Sequence, residues 1–261
     1  MEHPWSTALV TGASSGIGAA LARQLADAGV GLTLVARRAD RLAELAAAAE
    51  AASGRPVDVL PADLTDGADR AVVAGRLADL DRPVDLLVNC AGFGANGPFV
   101  DGELATYHEV IDLNIAALVE LTHAALAPMV ARRRGWVMNI SSLGGHAPGP
   151  NFAVYSASKA FVTSFSESLH EEVRRAGVVV TAICPGATHT EFGARAGVDD
   201  NGLPDLLWQS ADEVATEALT ASAAGRAVRV TGTINRVSAA LTTVLPRSAN
   251  RWLSAKVTER L

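Results

Sequence analysis

Cysteine is scarce in this chain: only two occur among 261 residues, Cys90 and Cys184. Each stands at the end of an apolar run, and two thiols at such positions do not make a disulfide framework. A reducing, cytoplasmic setting is therefore the simpler expectation. Basic residues are outnumbered, since 22 Lys and Arg face 28 Asp and Glu and leave a formal net charge of −6. Without a global positive field we expect no nucleic-acid or anionic-lipid partner.

Signals for export, membrane insertion and metal binding are also lacking. The first residues, Met1 to Trp5, have neither the basic region nor the apolar core of a signal peptide. The most apolar helical run, Ile115 to Ala131, is interrupted by Glu120, His123 and Pro128, so it predicts a core helix and no membrane span. No cluster of cysteine and histidine ligands is seen, and no metal site is predicted.

What the chain does have is a regular alternation of strand and helix patterns. Hydrophobic residues make up 49% and charged residues 19%, the balance of a globular protein. Alternation from end to end predicts a single α/β domain over residues 1–261, with about seven strands in one parallel sheet and helices on both faces. The predicted strands are Ser6–Thr11, Leu32–Ala36, Val57–Leu60, Val84–Val88, Trp136–Ile140, Val178–Ile183 and Ala227–Thr231.

A glycine-rich stretch follows the first predicted strand at once. Its sequence, TGASSGIG, spans Thr11 to Gly18, and a helical pattern through Leu21 and Leu25 then ends at Gly29. Between a strand and a helix, such glycines let the backbone approach a pyrophosphate while the helix N-terminus supplies N–H groups. A glycine-rich turn that holds no ligand is the alternative interpretation.

The second predicted strand ends at Ala36, and Arg37 and Arg38 follow. In a doubly wound fold this position lies beside the adenosine ribose, where an acidic residue would bind a free 2′-hydroxyl. Ala36 offers no carboxylate, whereas Arg37 suits a 2′-phosphate and Arg38 would flank the adenine. The pattern therefore favours NADP(H) over NAD(H); the alternative is a solvated basic turn.

Tyr155 and Lys159 lie four positions apart, one turn from each other on one face of a predicted helix. A lysine ammonium there is expected to lower the pKa of the tyrosine from about 10 towards neutral pH, which would make it a proton-transfer group. Taken alone, the pair also fits an ordinary helix surface.

An ordered set of motifs gives the pair its meaning. The motifs are TGASSGIG at Thr11–Gly18, Asp63-Leu64, NCAG at Asn89–Gly92, ISS at Ile140–Ser142, YSASK at Tyr155–Lys159, and Pro185-Gly186 with Thr190. Over nearly its whole length the chain resembles the short-chain dehydrogenase/reductase family. The resemblance implies a Rossmann-like, doubly wound fold and hydride transfer between NADP(H) and a ketone, aldehyde or alcohol.

Site residues are implied by the same resemblance. Tyr155 corresponds to the general acid/base, Ser142 (not Ser141) to the partner of the substrate oxygen, and Lys159 to a nicotinamide-ribose contact that lowers the tyrosine pKa. Asn114 corresponds to a fourth member, whose backbone helps hold a water leading to the lysine. The implied cofactor contacts are Gly12, Ser14, Ser15, Gly16, Ile17, Gly18, Arg37, Arg38, Asp63, Leu64, Asn89, Ala91, Gly92, Tyr155, Lys159, Pro185, Gly186, Thr188 and Thr190.

Cys90 departs from the family pattern, which more often has a second asparagine at that position. We expect a small buried hydrophobe there, with an oxidation-sensitive thiol as the alternative.

The substrate region is predicted at about 187–210, followed by a C-terminal helical segment at about 234–261. An apolar wall would favour a ketone or secondary alcohol of moderate hydrophobicity. His146 and His189 are expected to border the pocket, either touching substrate or simply solvated. The residues predicted for the wall are Leu143, Pro148, Phe152, Phe192, Leu203, Leu206, Leu207 and Trp208.

Assembly is suggested by the helices predicted over Leu104–Arg134 and Tyr155–Ala176. They carry more apolar surface than one sheet face covers, and related enzymes pair these two helices with a partner's copies, so we expect a homodimer or homotetramer. The triplet Arg132–Arg134 fits cations at a helix C-terminus better than a nucleic-acid patch.

Two other functions compete with the oxidoreductase. A sugar-nucleotide epimerase or dehydratase also uses YxxxK, but it has a longer chain and one more residue between the last two glycines. Loss of Tyr155 or Lys159 would suggest a non-catalytic NADP sensor or scaffold, and both residues are present. The sequence therefore favours an enzyme acting on CH–OH groups.

Overall fold

The computed structural model describes residues 3–197 and 204–258. Its strands are β1 (Thr7–Thr11), β2 (Gly31–Ala36), β3 (Val57–Pro61), β4 (Leu86–Asn89), β5 (Gly135–Ile140), β6 (Val178–Cys184), β7 (Thr188–His189), β8 (Gln209–Ser210) and β9 (Val228–Val230). Seven of them form one parallel sheet in the order β3-β2-β1-β4-β5-β6-β9. The predicted seven-stranded sheet is confirmed.

Helices cover both faces of this sheet. They are α1 (Gly16–Asp27), α2 (Ala39–Ser53), α3 (Gly67–Ala78), α4 (Leu104–Ile111), α5 (Leu118–Ala131), α6 (Ala153–Val173), α7 (Phe192–Ala196), α8 (Ala211–Ala223), α9 (Thr233–Val244) and α10 (Arg247–Thr258). Helices α1, α2 and α8 pack together on one face, while α3, α5 and α6 lie on the other. The doubly wound, Rossmann-like architecture is therefore confirmed.

Two hydrophobic cores follow from this layering. Successive strand side chains point to opposite faces, so neighbours in β1 enter different cores. Val10 packs with Leu21 of α1 in the α1-side core, and Leu9 packs with Leu121 of α5 in the α5-side core. Burial on both faces explains why the central strands are apolar runs without polar alternation.

The helix predicted over Leu104–Arg134 is interrupted. A π-helical segment, Asp112–Ala117, separates α4 from α5, and α5 ends at Ala131. Asn114 lies inside this segment. A π segment widens the turn and frees backbone groups from regular pairing, and such segments are frequent at functional sites.

Among the described residues, this interrupted helix is the one that is long and apolar enough, by length and composition, to cross a membrane. Its second half, α5, packs against α3, β4 and β5. That is the position of a core helix, as the sequence predicted.

The arginine triplet after α5, Arg132–Arg134, makes ion pairs and hydrogen bonds within the chain. Arg132 Nη2 and Arg134 Nε lie 3.9 and 3.5 Å from Asp85 Oδ1. Both arginines also donate to backbone carbonyls, those of Val84 and Pro4. These contacts favour a structural role for the triplet.

The predicted substrate loop contains more regular structure than its sequence suggested. Its short strands β7 and β8 pair in parallel, and the ring of His189 stacks on Trp208 with centroids 4.6 Å apart. Strands of two residues have no periodicity to detect, which is why the sequence did not predict them. Residues 198–203, including Leu203 of the predicted pocket wall, lie outside the described residues.

Candidate active site

The candidate site lies where the loops after β1, β4, β5 and β6 meet at the carboxyl edge of the sheet. In open α/β sheets this edge is where ligands bind. All the motifs found in the sequence, apart from Asp63-Leu64 after β3, follow or face these four strands.

The glycine-rich turn after β1 packs tightly on the loop after β4. Gly12 has a φ of +67°, and a Cβ there would lie 2.9 Å from backbone atoms of Ala91. A Cβ on Gly18 would lie 2.4 Å from the Gly12 carbonyl oxygen. The Thr11 hydroxyl accepts hydrogen bonds from the backbone N–H groups of Cys90 and Ala91, at 3.0 and 3.1 Å. Only glycine fits these positions without displacing backbone.

The loop after β6 reaches the same turn. A Cβ on Gly16 would lie 3.0 Å from Thr190 Cγ2, so Thr190 covers the start of α1. The Thr190 hydroxyl accepts a hydrogen bond from the Phe192 N–H at 3.2 Å. Ile17 is partly buried against the α1-side core. The turn, the start of α1 and the loop after β6 thus form one structure.

Arg38 lies directly on the glycine-rich turn. Its Nε donates to Ser14 Oγ at 3.2 Å, and its Nη2 donates to Ser15 Oγ at 2.8 Å. Arg37 is more exposed, with Nη1 3.6 Å from Asp63 Oδ2. Both arginines stand beyond β2, as expected, but it is Arg38 whose guanidinium reaches the turn.

Asp63 and Leu64 follow β3 at the next strand end. Asp63 Oδ1 accepts from the Thr65 N–H and hydroxyl, at 3.0 and 2.8 Å. Burial raises the pKa of Asp63, but the Thr65 hydrogen bonds and the Arg37 guanidinium outweigh it, and the pKa is lowered overall. The Leu64 side chain is buried in the α5-side core, which leaves only its backbone for a cofactor contact.

The side chain of Asn89 is hydrogen-bonded to other buried side chains beneath the site. Its amide nitrogen donates to Thr122 Oγ1 of α5 at 3.0 Å and to Asn139 Oδ1 of β5 at 2.9 Å. Asn139 in turn donates to Ser166 Oγ of α6 at 2.9 Å. The side chain implied as a cofactor contact therefore joins β4 and β5 to two helices, a role that only the folded chain displays.

Tyr155 lies near the start of α6 under a cover of aromatic rings. Its ring centroid is 6.0 Å from that of Phe152 and 5.3 Å from that of Phe192. A Cβ on Gly94 would lie 3.1 Å from the tyrosine ring, so the loop after β4 closes a further side. This burial raises the pKa of Tyr155 to about 12, with a partial opposing effect from its hydrogen bond to Ser142.

Lys159 is buried one turn away. Its Nζ donates to the Ile140 carbonyl at 2.8 Å and lies 5.8 Å from the centroid of the Tyr155 ring. Burial lowers the pKa of Lys159 to about 8. Gly92 leaves open the space between two site residues, because a Cβ there would lie 3.4 Å from Lys159 Nζ and 3.0 Å from Asn114 Oδ1.

The predicted net lowering of the Tyr155 pKa towards neutral pH is not found in this structure, where the pKa is raised overall. Burial of the phenol dominates, and the ammonium is held by the Ile140 carbonyl. Desolvation disfavours the phenolate and the ammonium alike, so it moves the two pKa values in opposite directions. With a pKa of about 12, Tyr155 is protonated at neutral pH and can act as a proton donor.

The two serines after β5 have different surroundings. Ser142 accepts from the Gly144 N–H at 3.0 Å, and its side chain lowers the pKa of Tyr155. Ser141 instead donates to the Lys159 carbonyl at 2.7 Å and lies 2.7 Å from Thr163 Oγ1. The structure brings Ser142 together with the tyrosine, as the resemblance implied, and places Ser141 in the packing of α6.

Asn114 ties the π segment to both sides of the site. Its amide nitrogen donates to the Phe93 carbonyl and to Ser158 Oγ, each at 3.0 Å, and its oxygen accepts from the Phe93 N–H at 3.2 Å. Ser158 donates onward to the Tyr155 carbonyl at 2.7 Å. Ser158 is a positioning residue that the sequence reasoning missed; its place within YSASK was the only available signal.

The motif after β6 shapes the loop that carries Thr190. The Pro185 carbonyl accepts from the Leu143 N–H at 2.7 Å, which joins this loop to the one after β5. A Cβ on Gly186 would lie 2.3 Å from the amide of Asn235 in α9. Thr188 Oγ1 donates to the Gly186 carbonyl at 3.0 Å.

The predicted pocket wall is only partly assembled in the described residues. Phe152 and Phe192 pack on Tyr155, whereas Pro148 and Leu206 are exposed. His146 has a buried Nε2 without a hydrogen-bond partner in the described part of the chain, and burial lowers the pKa of its imidazole. Leu143, Leu207 and Trp208 are partly buried.

Cys90 is held in its thiol form. Burial raises the pKa of Cys90 to about 12, which opposes the reactive thiolate and favours the interpretation as a small hydrophobe. Across residues 3–197 and 204–258, no group of three or more His, Cys, Asp or Glu side chains is placed to hold a metal ion.

Known proteins match this chain in sequence over most of its length. A family model described as short chain dehydrogenase matches residues 6–201. Human 17-beta-hydroxysteroid dehydrogenase type 3 is 31% identical over 81% of this chain, and the match covers 66% of that protein, just under two thirds. Sulfoacetaldehyde reductase 2 of Chromohalobacter salexigens is 38% identical over 80% of this chain and 83% of that protein.

Solved structures are similar over more of the chain. A short-chain dehydrogenase from Sphingobium yanoikuyae in complex with NADPH is 36% identical, with a TM-score of 0.83 over 93% of this chain and 97% of that one. The bulky-bulky ketone specific alcohol dehydrogenase from Comamonas testosteroni is 31% identical, with a TM-score of 0.78 over 93% and 96% of the two chains.

Proposed function

This chain belongs to the short-chain dehydrogenase family, and from that premise we propose that it interconverts a ketone and a secondary alcohol with NADP(H), using Tyr155 as the proton donor. The observation that carries the proposal is the meeting of Tyr155, Ser142 and Lys159 at the sheet edge next to the glycine-rich turn. A binding module would need the turn but not this protonated phenol beside a buried ammonium.

The residues at the turn fit a dinucleotide. Close packing at Gly12 and Gly18 brings the start of α1 directly against the end of β1, and the N–H groups of a helix N-terminus in that position suit a pyrophosphate. Arg38, with Arg37 beside it, places positive charge at the end of β2, where a 2′-phosphate of NADP(H) would be recognised. When bound, the nicotinamide supplies or accepts the hydride.

The chain's own residues then handle the proton and the developing charge. Tyr155 is protonated and donates to the alkoxide oxygen as the carbonyl is reduced. Ser142, which lowers the pKa of Tyr155 from beside it, shares the charge on that oxygen. The Lys159 ammonium, 5.8 Å from the phenol ring, favours the phenolate that remains. Asn114 and Ser158 position Tyr155, because Asn114 bonds Ser158 and Ser158 bonds the Tyr155 carbonyl.

For the substrate we propose a fairly apolar ketone. Phe152 and Phe192 line Tyr155 with aromatic surface, which favours apolar groups next to the reacting carbon. The names of the relatives support two substrate classes, since one acts on hydroxysteroids and a structural neighbour is specific for bulky ketones. Sulfoacetaldehyde reductase points to a small anionic aldehyde, which this aromatic surface fits less well.

The experiment is a screen of NADPH oxidation by the purified protein over ketones, keto-esters, steroids and small aldehydes, sulfoacetaldehyde included. We expect turnover with bulky ketones and a preference for NADPH over NADH of at least about tenfold in kcat/KM, the value of one charge-assisted contact. Equal use of NADPH and NADH would mean that Arg37 and Arg38 form only a solvated basic turn and do not recognise a 2′-phosphate. An absence of turnover across the panel would contradict the proposed reaction.

A further inference from the structure

One carboxylate near the site is surrounded by arginines. Glu191 lies between β7 and α7, in the loop after β6. Its Oε2 accepts from Arg38 Nη1 and from Arg195 Nη2, each at 2.9 Å, and its Oε1 accepts from Arg41. Three guanidinium groups therefore share the Glu191 carboxylate, and Asp40 and Glu44 also act on Arg41 electrostatically.

Two of these arginines belong to the cofactor side of the site. Arg38 precedes α2 and also donates to Ser14 and Ser15 of the glycine-rich turn. Arg41 lies in the first turn of α2. Hydrogen bonds from Arg41 and then Arg38 hold the pKa of Glu191 at about 2, so the carboxylate is ionised throughout the neutral range.

Glu191 also connects to the catalytic side through its chain neighbours. Thr190 covers Gly16 of the glycine-rich turn, and the ring of Phe192 lies 5.3 Å from that of Tyr155. Glu191 is therefore bonded in the chain to the residue that covers the turn on one side and to the ring that covers the phenol on the other.

We propose that Glu191 competes with the 2′-phosphate of the cofactor for Arg38 and Arg41, and that its displacement moves Phe192 away from Tyr155. The inference rests on the proposed use of NADP(H). It makes Glu191 a specificity-determining residue, because the competition opposes a nucleotide with a 2′-phosphate and does not oppose one without it. A 2′-phosphate carries about two negative charges near neutral pH, against one on the carboxylate, so it attracts the same guanidinium groups more strongly.

Glu191→Gln is the direct test, since glutamine keeps the size of the side chain and removes its charge. We expect the Kd of adenosine 2′,5′-bisphosphate and of NADP+ to fall by about three- to fivefold, the upper end of the range for partly exposed ion pairs. The Kd of adenosine 5′-monophosphate and of NAD+ should stay within about twofold. Isothermal titration calorimetry at fixed salt measures all four.

A matched control is Glu120→Gln. Glu120 of α5 forms an ion pair with Arg70 at 2.8 Å, and its side chain is 49% exposed against 41% for Glu191. This variant loses a comparable surface ion pair between α3 and α5, so its four Kd values should match those of the unchanged protein.

Hydrogen exchange tests the link to the catalytic side. Adenosine 2′,5′-bisphosphate has no nicotinamide, yet it should speed amide exchange in residues 190–196 of the unchanged protein, whereas adenosine 5′-monophosphate should not. In Glu191→Gln these amides should exchange fast with or without nucleotide.

The outcomes separate this inference from the proposed function. If the unchanged protein binds NADP+ tightly and Glu191→Gln keeps the same ratio of Kd values between nucleotides with and without a 2′-phosphate, the competition is overturned. The proposed function would still stand. Equal weakening of all four nucleotides would make Glu191 a structural anchor, which also overturns the inference. Failure of the unchanged protein to bind any of the four nucleotides would overturn both.

Discussion

At the scale of single residues, the state of Tyr155 is decided by competing electrostatic effects. Burial under Phe152 and Phe192 raises its pKa to about 12, and the hydrogen bond to Ser142 offsets only part of that rise. Lys159 lies one helical turn away but donates to the Ile140 carbonyl. The consequence is a protonated phenol beside a lysine that titrates near pH 8, an arrangement suited to proton donation.

The first residue-scale prediction removes the donor. Tyr155→Phe should lower kcat for ketone reduction by roughly two orders of magnitude or more, because general acid catalysis contributes that much. The Kd of NADPH, measured by fluorescence titration, should change little.

The other tyrosine of the chain provides the matched control. Tyr107 donates to the Phe99 carbonyl at 3.2 Å, in an exposed region, and Tyr107→Phe should retain turnover. Near-normal turnover in Tyr155→Phe would contradict the role assigned to the phenol.

The second residue-scale prediction concerns pH. Burial lowers the pKa of Lys159 from 10.5 to about 8, so the ammonium is present below pH 8 and is lost above it. Since the cation favours the phenolate left after proton donation, kcat for reduction should fall as pH rises through about 8. A kcat–pH profile with one ketone under saturating NADPH measures it.

The lysine variant tests the assignment of that pH dependence. Lys159→Met should be slow at every pH and should lack the fall near pH 8. A profile of the unchanged enzyme that stays flat to about pH 10 would mean that another group carries the charge.

At the scale of elements, buried polar side chains hold the strands and helices of the site in register. Asn89 of β4 bonds Thr122 of α5 and Asn139 of β5, and Asn139 bonds Ser166 of α6. Buried polar groups are expensive when unpaired, so such a chain of hydrogen bonds favours one arrangement of the four elements. Asn114 does the same for the π segment, the loop at Phe93 and α6.

The element-scale prediction is that Asn89→Ala destabilises the fold more than it impairs chemistry. The change leaves Asn139 Oδ1 without its donor in a buried site, which should lower the free energy of unfolding by about 1–3 kcal/mol. Urea denaturation measures the loss. Ser168→Ala, which removes only an exposed hydrogen bond to the Ser164 carbonyl, should change it by less than about 0.5 kcal/mol. Similar stability in the two variants would rule out the bracing role.

At the scale of the whole molecule, the described helices leave apolar surface on one side. Helices α4 and α6 pack on each other and expose Leu104, Ile111 and Phe161, with Phe161 stacked on Phe165 at 5.6 Å. Burying such surface between two copies related by a two-fold axis would stabilise a dimer or tetramer. Self-assembly of this chain is therefore a proposal that rests on exposed side chains as well as on resemblance.

The whole-molecule prediction is that light scattering shows a dimer or tetramer at micromolar concentration. Phe161→Asp should shift it to monomer, because a charge would be buried at the contact. Val72→Asp introduces the same charge at an exposed position on α3 and should leave the mass unchanged. A monomeric unchanged protein, or an oligomer unaffected by Phe161→Asp, would exclude this contact.

The sequence by itself determined the order of strands and helices and the identity of the motif residues. Apolar runs bounded by turns are local patterns, and they predicted all seven strands of the sheet to within about two residues at each end. The turn at Gly12–Gly18 was equally predictable, because the close backbone approach requires glycine, and glycine is identified directly in the sequence.

Only the tertiary structure decided the environment of those residues. Burial raises the pKa of Tyr155, and Phe192, 37 residues further along the chain, lies 5.3 Å from its ring, whereas helical spacing indicates only Lys159. The partners of Asn89 and the arginines around Glu191 come from elements far apart in the chain. The burial of a side chain and the electrostatic potential at it depend on all of its neighbours in space. The topology of the doubly wound sheet determines which residues those neighbours are.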